Sequence, residues 1–389
     1  MASKAGSLPK PATRPDAAAV RQPAFVLDAV PWRSLAEEIV AWDALAVCAA
    51  EPNPFFESWY LLPALAAFDP QGGIVILRFE VDGELAGLLP LARPRRYYGK
   101  PLPHLATWLH ANCFLGAPLV AAGLERHFWR AVLTWADRQA GLGLFLHLAH
   151  MPLAGALHEA LVEVLAEQRR DAHLVHREER ALLCSRDTPE AYFEATLSGK
   201  KRKELRRQFA RLSELGEVTI ERRDDAEGLA LWIEHFLALE QAGWKGLAGS
   251  ALATAPGSAQ LFRDSLPGAA ARGRLERLTL SLDGAPIAML ATFLASPGAF
   301  SFKTAFDERY ARFSPGVLLQ RENLAILDRT DIAWSDSCAA ADHPMIDHIW
   351  RERRAIGRLS IAIGGRARRA AFALVARAEL GRNPTGLDG

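Results

Sequence analysis

One pattern occurs twice in this chain, and the repeat constrains the fold more than any single motif. Residues 75–91 read VILRFEVDGELAGLLPL, and residues 278–294 read LTLSLDGAPIAMLATFL. Each is an alternating strand, an Asp-Gly pair, then a second apolar strand. Asp-Gly supplies the positive φ angles of a two-residue turn, so each segment reads as a β-hairpin. The pairs Asp82-Gly83 and Asp283-Gly284 lie about 200 positions apart, the scale of a duplicated domain. The surroundings match in order. Helical patterns at 33–49 and 55–68 precede the first hairpin, and patterns at 225–242 and 258–270 precede the second. After the first come an apolar stretch at 103–109, a helix near 123–140 and a strand at 144–148; after the second come a strand at 299–305, a helix near 315–328 and a strand at 331–335. This order predicts an α/β (α+β) fold of two tandem units, each a mixed, mostly antiparallel sheet flanked by helices. The expected division is a disordered tail over 1–24, an N-terminal domain over 25–180, a C-terminal domain over 181–370 and a tail over 371–389.

With 389 residues, the chain is long enough for two cores. Its 46 basic and 45 acidic residues leave a net charge of +1, which argues against a dedicated DNA binder. Cys48, Cys113, Cys184 and Cys338 are scattered without a CxxC pair, so neither a zinc ribbon nor a redox motif is expected. His343 and His348 are five apart, the wrong spacing for one helical face, and no metal site is expected. The first residues show no apolar signal core, and no apolar run approaches the ~20 residues of a membrane span. A cytoplasmic chain is the expectation.

Four motifs carry candidate chemistry. Ser314-Pro315-Gly316-Val317 places an N-cap serine and an N1 proline at a helix start that follows a strand. Such a start binds phosphate through free amides, with Arg309 and Arg312 just before it; the bland reading is an ordinary capped helix. The helix over 199–215 holds seven basic residues and one acid within 200–211. Leu205, Phe209 and Leu212 form its apolar stripe, while Lys200, Lys203, Arg207 and Arg211 align opposite, either as a solvated face or as a dock for an anion. A third segment, Glu240 to Gly246, ends a helix with Trp244 and Lys245. Finally, Trp334-Ser335-Asp336-Ser337-Cys338 closes a strand, where ligands of open α/β sheets gather. Thr188-Pro189 marks a further helix start.

Together LSGKKRKELRRQFARL, LEQAGWKG and FKTAFDERYARFSPGVLL, followed by a strand ending in an aspartate, resemble the CelD/BcsL branch of the GNAT superfamily, which is linked to cellulose or exopolysaccharide biosynthesis and related to FemAB-type aminoacyltransferases. The resemblance covers about residues 190–340. It implies two GNAT-like domains and an acyltransferase using acetyl-CoA or another acyl-CoA, with an amine or hydroxyl acceptor on a small molecule or saccharide. Phe302, Lys303, Thr304 and Ala305 would flank the donor, and Arg312, Ser314, Gly316 and Val317 would hold its phosphates. Asp336 or Glu240 would be the base or position the acceptor, and Lys200, Lys203, Arg207, Arg211, Trp244 and Lys245 would meet the substrate or another anion. The first half has Cys113 to Pro118 where the cradle should be, so it is expected to bind no coenzyme and to shape the acceptor groove. FemAB-type relatives use aminoacyl-tRNA, and the basic helix keeps that donor open. A third reading is a degenerate scaffold for polysaccharide assembly, which side chains filling the space beside Ser314–Gly316 would favour.

Overall fold

The computed structural model describes residues 23–341, 343 and 345–381. The expected N-terminal tail therefore lies, up to residue 22, outside the described residues. The N-terminal half runs β1 (Phe25–Pro31), α1 (Ile39–Cys48), α2 (Ser58–Phe68), β2 (Val75–Val81), β3 (Glu84–Ala92), β4 (Leu105–Thr107), β5 (Leu119–Val120), α3 (Glu125–Gln139), β6 (Phe145–Pro152), α4 (Ala156–Glu167) and β7 (Ala172–Leu183). The C-terminal half continues with α5 (Pro189–Thr196), α6 (Gly199–Ser213), β8 (Val218–Arg223), α7 (Leu229–Ala242), α8 (Trp244–Leu247), α9 (Pro256–Ala271), β9 (Leu275–Leu282), β10 (Ala285–Ala295), β11 (Gly298–Phe306), α10 (Pro315–Asn323), β12 (Trp334–Asp336), β13 (Glu352–Ala362) and α11 (Arg366–Leu380).

Both hairpins form as their sequences dictate. Asp82 and Gly83 take φ of 52° and 88°, and Asp283 and Gly284 take 50° and 76°, the left-handed pair of a type I′ turn. Thr188 caps α5 by accepting from the Ala191 N–H at 3.2 Å, with Pro189 at N1.

All strands join one mixed sheet in the order β1-β2-β3-β4-β6-β13-β7-β12-β11-β10-β9-β8, with β5 added beside β3. Among the described residues, only β4–β6 and β11–β12 are parallel. Here the structure departs from the expected division. The chain's last strand returns to the first half, where β13 lies antiparallel between β6 and β7, with Ile356 opposite both Pro152 and Glu178. β7 in turn reaches into the second half to pair with β12. A boundary at 180 would cut β7, and one at 370 would cut α11, whose Phe372 packs on Phe145 at 5.6 Å between ring centroids. The sequence signal for β13, ERRAIGRLSIA, is a weak alternation diluted by arginines.

The halves meet through α2 and α9. A side chain at Gly268 would approach the Trp59 Cβ to 3.0 Å, so glycine lets these helices sit close without displacing Trp59. Beneath them Phe55, Tyr60, Phe293, Phe300 and Phe302 form a shared aromatic core, the Phe293 and Phe302 rings stacked at 4.4 Å. Arg272–Asp43 (2.8 Å) and Arg274–Glu57 (3.3 Å) bridge the same seam.

Candidate active site

β11 pairs with β12 only at Gly298–Phe300; beyond Phe300 the two strands part. On its other side β11 stays bonded to β10, with a register break that leaves Phe302 as an extra residue between the Ser301–Thr292 and Lys303–Ala291 pairs. A bulge of this kind bends its strand and re-aims neighbouring side chains. The parted strands enclose a slot of about 220 Å³ lined by Ser301–Phe306, by Ser337–Ala340 beyond β12, and by Phe114, Glu240, Lys245 and His343.

The donor-side residues expected from the sequence, Phe302, Lys303, Thr304 and Ala305, thus all border the slot. Lys303 is the notable one. Its ammonium lies 5.2 Å from the Phe114 ring and 5.8 Å from the Phe302 ring, with no carboxylate bonded to it. Burial, with Lys245 close by, pulls its pKa down to about 8. Lys245 is differently placed: its Nζ donates to Glu240 Oε1 at 2.8 Å and to the Thr304 carbonyl at 3.0 Å.

Both carboxylates expected as base or acceptor-positioning group are engaged by other groups of the chain. Glu240 spends its second oxygen on the Leu252 N–H at 2.8 Å, so it anchors Lys245 and the turn after α7. Asp336 is fully buried and lies outside the slot lining; Arg180 (3.2 Å), Arg354 (3.1 Å) and the Cys338 N–H (2.9 Å) surround it. Arg354 continues to Glu51, and Arg180 donates to the carbonyl of Phe114, a slot residue. A carboxylate held by two guanidiniums is a structural anchor: it fixes the Ser337–Cys338 wall, where Cys338 takes a left-handed φ of 52°. Burial pushes the Cys338 thiol well above its usual range, which favours the protonated thiol. His343 escaped the sequence reading as a site residue. It lines the slot, its Nδ1 is buried without a partner, and burial lowers its pKa, leaving a neutral imidazole.

The expected phosphate cradle differs from the sequence reading. Ser314 is left-handed (φ 54°) and makes no side-chain cap. Pro315 has no N–H, and the Val317 and Leu318 N–H groups both donate to the Ser314 carbonyl at 3.0 Å. Only the Gly316 amide is left over at this turn, and Gly316 is buried: a side chain there would come within 2.7 Å of Met345 Sδ. The expectation of several open amides is therefore corrected; Met345 occupies the space over the helix start. Arg312 stays exposed, its guanidinium stacked 4.7 Å over Phe313. The α6 cations Lys200, Lys203, Arg207 and Arg211 are exposed on one helix, Arg207 paired with Glu204 at 2.7 Å, and none borders the slot. Trp244 opens α8.

A parted parallel pair, a bulged strand and a helix after it frame the slot. Residues 199–343 match the family model described as an acetyltransferase (GNAT) domain, from the start of α6 to His343. Within the C-terminal half, residues 199–343 are thus similar to a GNAT acetyltransferase domain. Among solved structures, the chain is similar in fold to FemX (TM-score 0.56, 11% identity, 87% of this chain and 98% of that one). It is also similar to the C-terminal domain of a putative lysylphosphatidylglycerol synthetase from Agrobacterium fabrum (TM-score 0.51, 13% identity, 90% and 99% covered). At these identities the likeness is one of fold. No curated protein matches the sequence. Among the described residues no helix is long and apolar enough to cross a membrane, and no cluster of metal-ligating side chains is present.

Proposed function

We propose that the chain is an acyltransferase that moves an acyl group, acetyl in the simplest case, from acyl-CoA to an amine or hydroxyl acceptor. One observation carries this reading: β11 turns the edge Ser301–Phe306, where only the Thr304 carbonyl is taken up by Lys245 among the described residues, toward an open slot with Lys303, bonded to no carboxylate, in its wall. The thioester supplies an activated carbonyl, and an exposed strand edge offers backbone groups to align it. Lys303, cationic below about pH 8, faces the oxyanion that forms when the acceptor attacks the carbonyl carbon. His343, neutral, takes the acceptor's proton and returns it to the departing thiolate as the C–S bond breaks. Asp336 and Glu240 act as positioning residues.

The resemblance noted in the sequence extends the proposal to a saccharide acceptor in polysaccharide or envelope assembly. The putative lysylphosphatidylglycerol synthetase among the fold neighbours is in keeping with an envelope role.

Met345, whose Sδ a side chain at Gly316 would meet at 2.7 Å, crowds the helix start and keeps two rival readings open. One is transfer from aminoacyl-tRNA, with the exposed face of α6 meeting phosphates; the other is a scaffold without catalysis. Titration calorimetry separates the three. Acetyl-CoA binding with heat release supports the proposal. RNA binding that weakens steeply with salt and vanishes on reversing Lys203 and Arg207 supports the second. Failure of both supports the scaffold.

A further inference from the structure

The N-terminal half has its own parted pair. β4 and β6 run parallel at Leu105–Leu146 and Ala106–His147, then separate. One side of the gap is a groove of about 430 Å³, within the range of small-ligand sites, whose lining includes Arg96, Tyr98, His104, His110, His150 and Arg358. We propose that this groove binds an anionic saccharide.

Two features set the ligand's charge. Arg96 is exposed with no acidic partner, and Arg358 donates only to the Tyr98 hydroxyl, at 3.1 Å. Arg95 and Lys100 stand exposed on the same loop, and no carboxylate lines the groove. Glu379 accepts from the Tyr97 hydroxyl at 2.7 Å, and Glu178, outside the lining, lies 3.8 Å from His176.

The imidazoles set the rest. His104 Nδ1 must donate to the Leu102 carbonyl (3.0 Å), which leaves Nε2 an acceptor. His110 Nδ1 accepts the Asn112 N–H (3.3 Å), which leaves Nε2–H a donor. His150 Nδ1 is buried without a partner. Burial keeps all of them neutral, His110 and His147 down to about 3. Uncharged groups of both hydrogen-bonding senses suit hydroxyls, which donate and accept. Tyr98, 63% exposed and held at φ 44° in the tight Tyr97–Lys100 turn, adds a ring face beside them. The groove and the transfer slot are separated by the buried Tyr60 ring, which stacks 6.0 Å from His110 on one side and meets Phe302 at 5.8 Å on the other.

The test is titration of the full chain with glucose, glucose 1-phosphate and glucuronate. Both charged sugars are expected to bind at least tenfold tighter than glucose, and their ranking identifies the anionic group. Arg358→Gln is expected to abolish the preference, and Arg138→Gln, an exposed arginine elsewhere, to keep it. Should Arg358→Gln not fold, Arg96→Gln, on an exposed loop, is read instead. Equal affinity for glucose, an unchanged preference in the arginine variants, or no binding at all overturns the proposal. Acetyl-CoA is titrated separately, so charged-sugar binding without acetyl-CoA binding retains the groove and removes only the donor reading.

Discussion

Each half builds a parallel strand pair that parts after two or three residues, yet the two gaps are finished differently. In the first, Gly116 crosses the opening, its N–H bonded to the His150 carbonyl at 2.9 Å, and a side chain there would strike the Ala149 carbonyl at 2.0 Å. α3 then begins with Glu125, whose carboxylate accepts the Gly123 N–H at 2.9 Å and puts a negative charge where a phosphate would have to sit. In the second, the strand edge stays open, a lysine lines it, and the following helix begins Pro-Gly below Arg312. On the proposed reading a handful of side chains separates the two gaps: a carboxylate occupies the helix start in the first half, while the second half keeps an open slot.

The largest expected effect tests the wall that holds the second gap open. Asp336→Ala leaves Arg180 and Arg354 buried with one fewer counter-charge and is expected to cost about 3–5 kcal/mol in urea unfolding. A loss under 1 kcal/mol would deny Asp336 its anchoring role. Next is Lys303→Gln, expected to slow acyl transfer at least 100-fold, about 2.7 kcal/mol, with acetyl-CoA affinity nearly unchanged. Wild-type activity is expected to fall as pH rises through about 8, where Lys303 loses its charge; a Lys303→Gln enzyme that keeps that alkaline limb would assign it elsewhere.

The same lysine opposes folding. Its folded pKa lies below the unfolded value of 10.5, so the unfolded chain binds more protons between about 8 and 10.5, and stability rises with pH across that window. Lys303→Met is accordingly expected to stabilise the protein by roughly 1–3 kcal/mol at pH 7, the span allowing for residual solvent at the side chain. Unchanged or lower stability would show that Lys303 is well solvated. The smallest effect belongs to Met345→Ala, expected to tighten acetyl-CoA binding about threefold by clearing the space over Gly316. Weaker binding would make Met345 part of the donor site.

How much of this the sequence disclosed depends on the range of the interaction. The two Asp-Gly hairpins, the Thr188-Pro189 start and the strand bearing Phe302–Ala305 were legible because turn chemistry and alternation are local. The exchange of β7 and β13 between the halves was not, since strand order is set by pairings more than 150 residues apart along the chain, as between Ile356 and Glu178. Site chemistry divides the same way. Lys303 could be placed beside the donor, but its lack of a carboxylate partner, and the capture of Glu240 by Lys245 and of Asp336 by Arg180 and Arg354, depend on the folded chain. His343 and Met345 lacked any motif at all, and the basic loop at 93–100 lay in a half read only as shaping a groove.

The most direct test is a crystal structure grown with acetyl-CoA. The expected result is acyl-group density along Ser301–Phe306, within reach of Lys303, with Met345 displaced from Gly316 and the β4–β6 gap free of coenzyme. Coenzyme in the β4–β6 gap, or an unoccupied slot with Met345 unmoved at saturating acetyl-CoA, would contradict the assignment of donor chemistry to the second half.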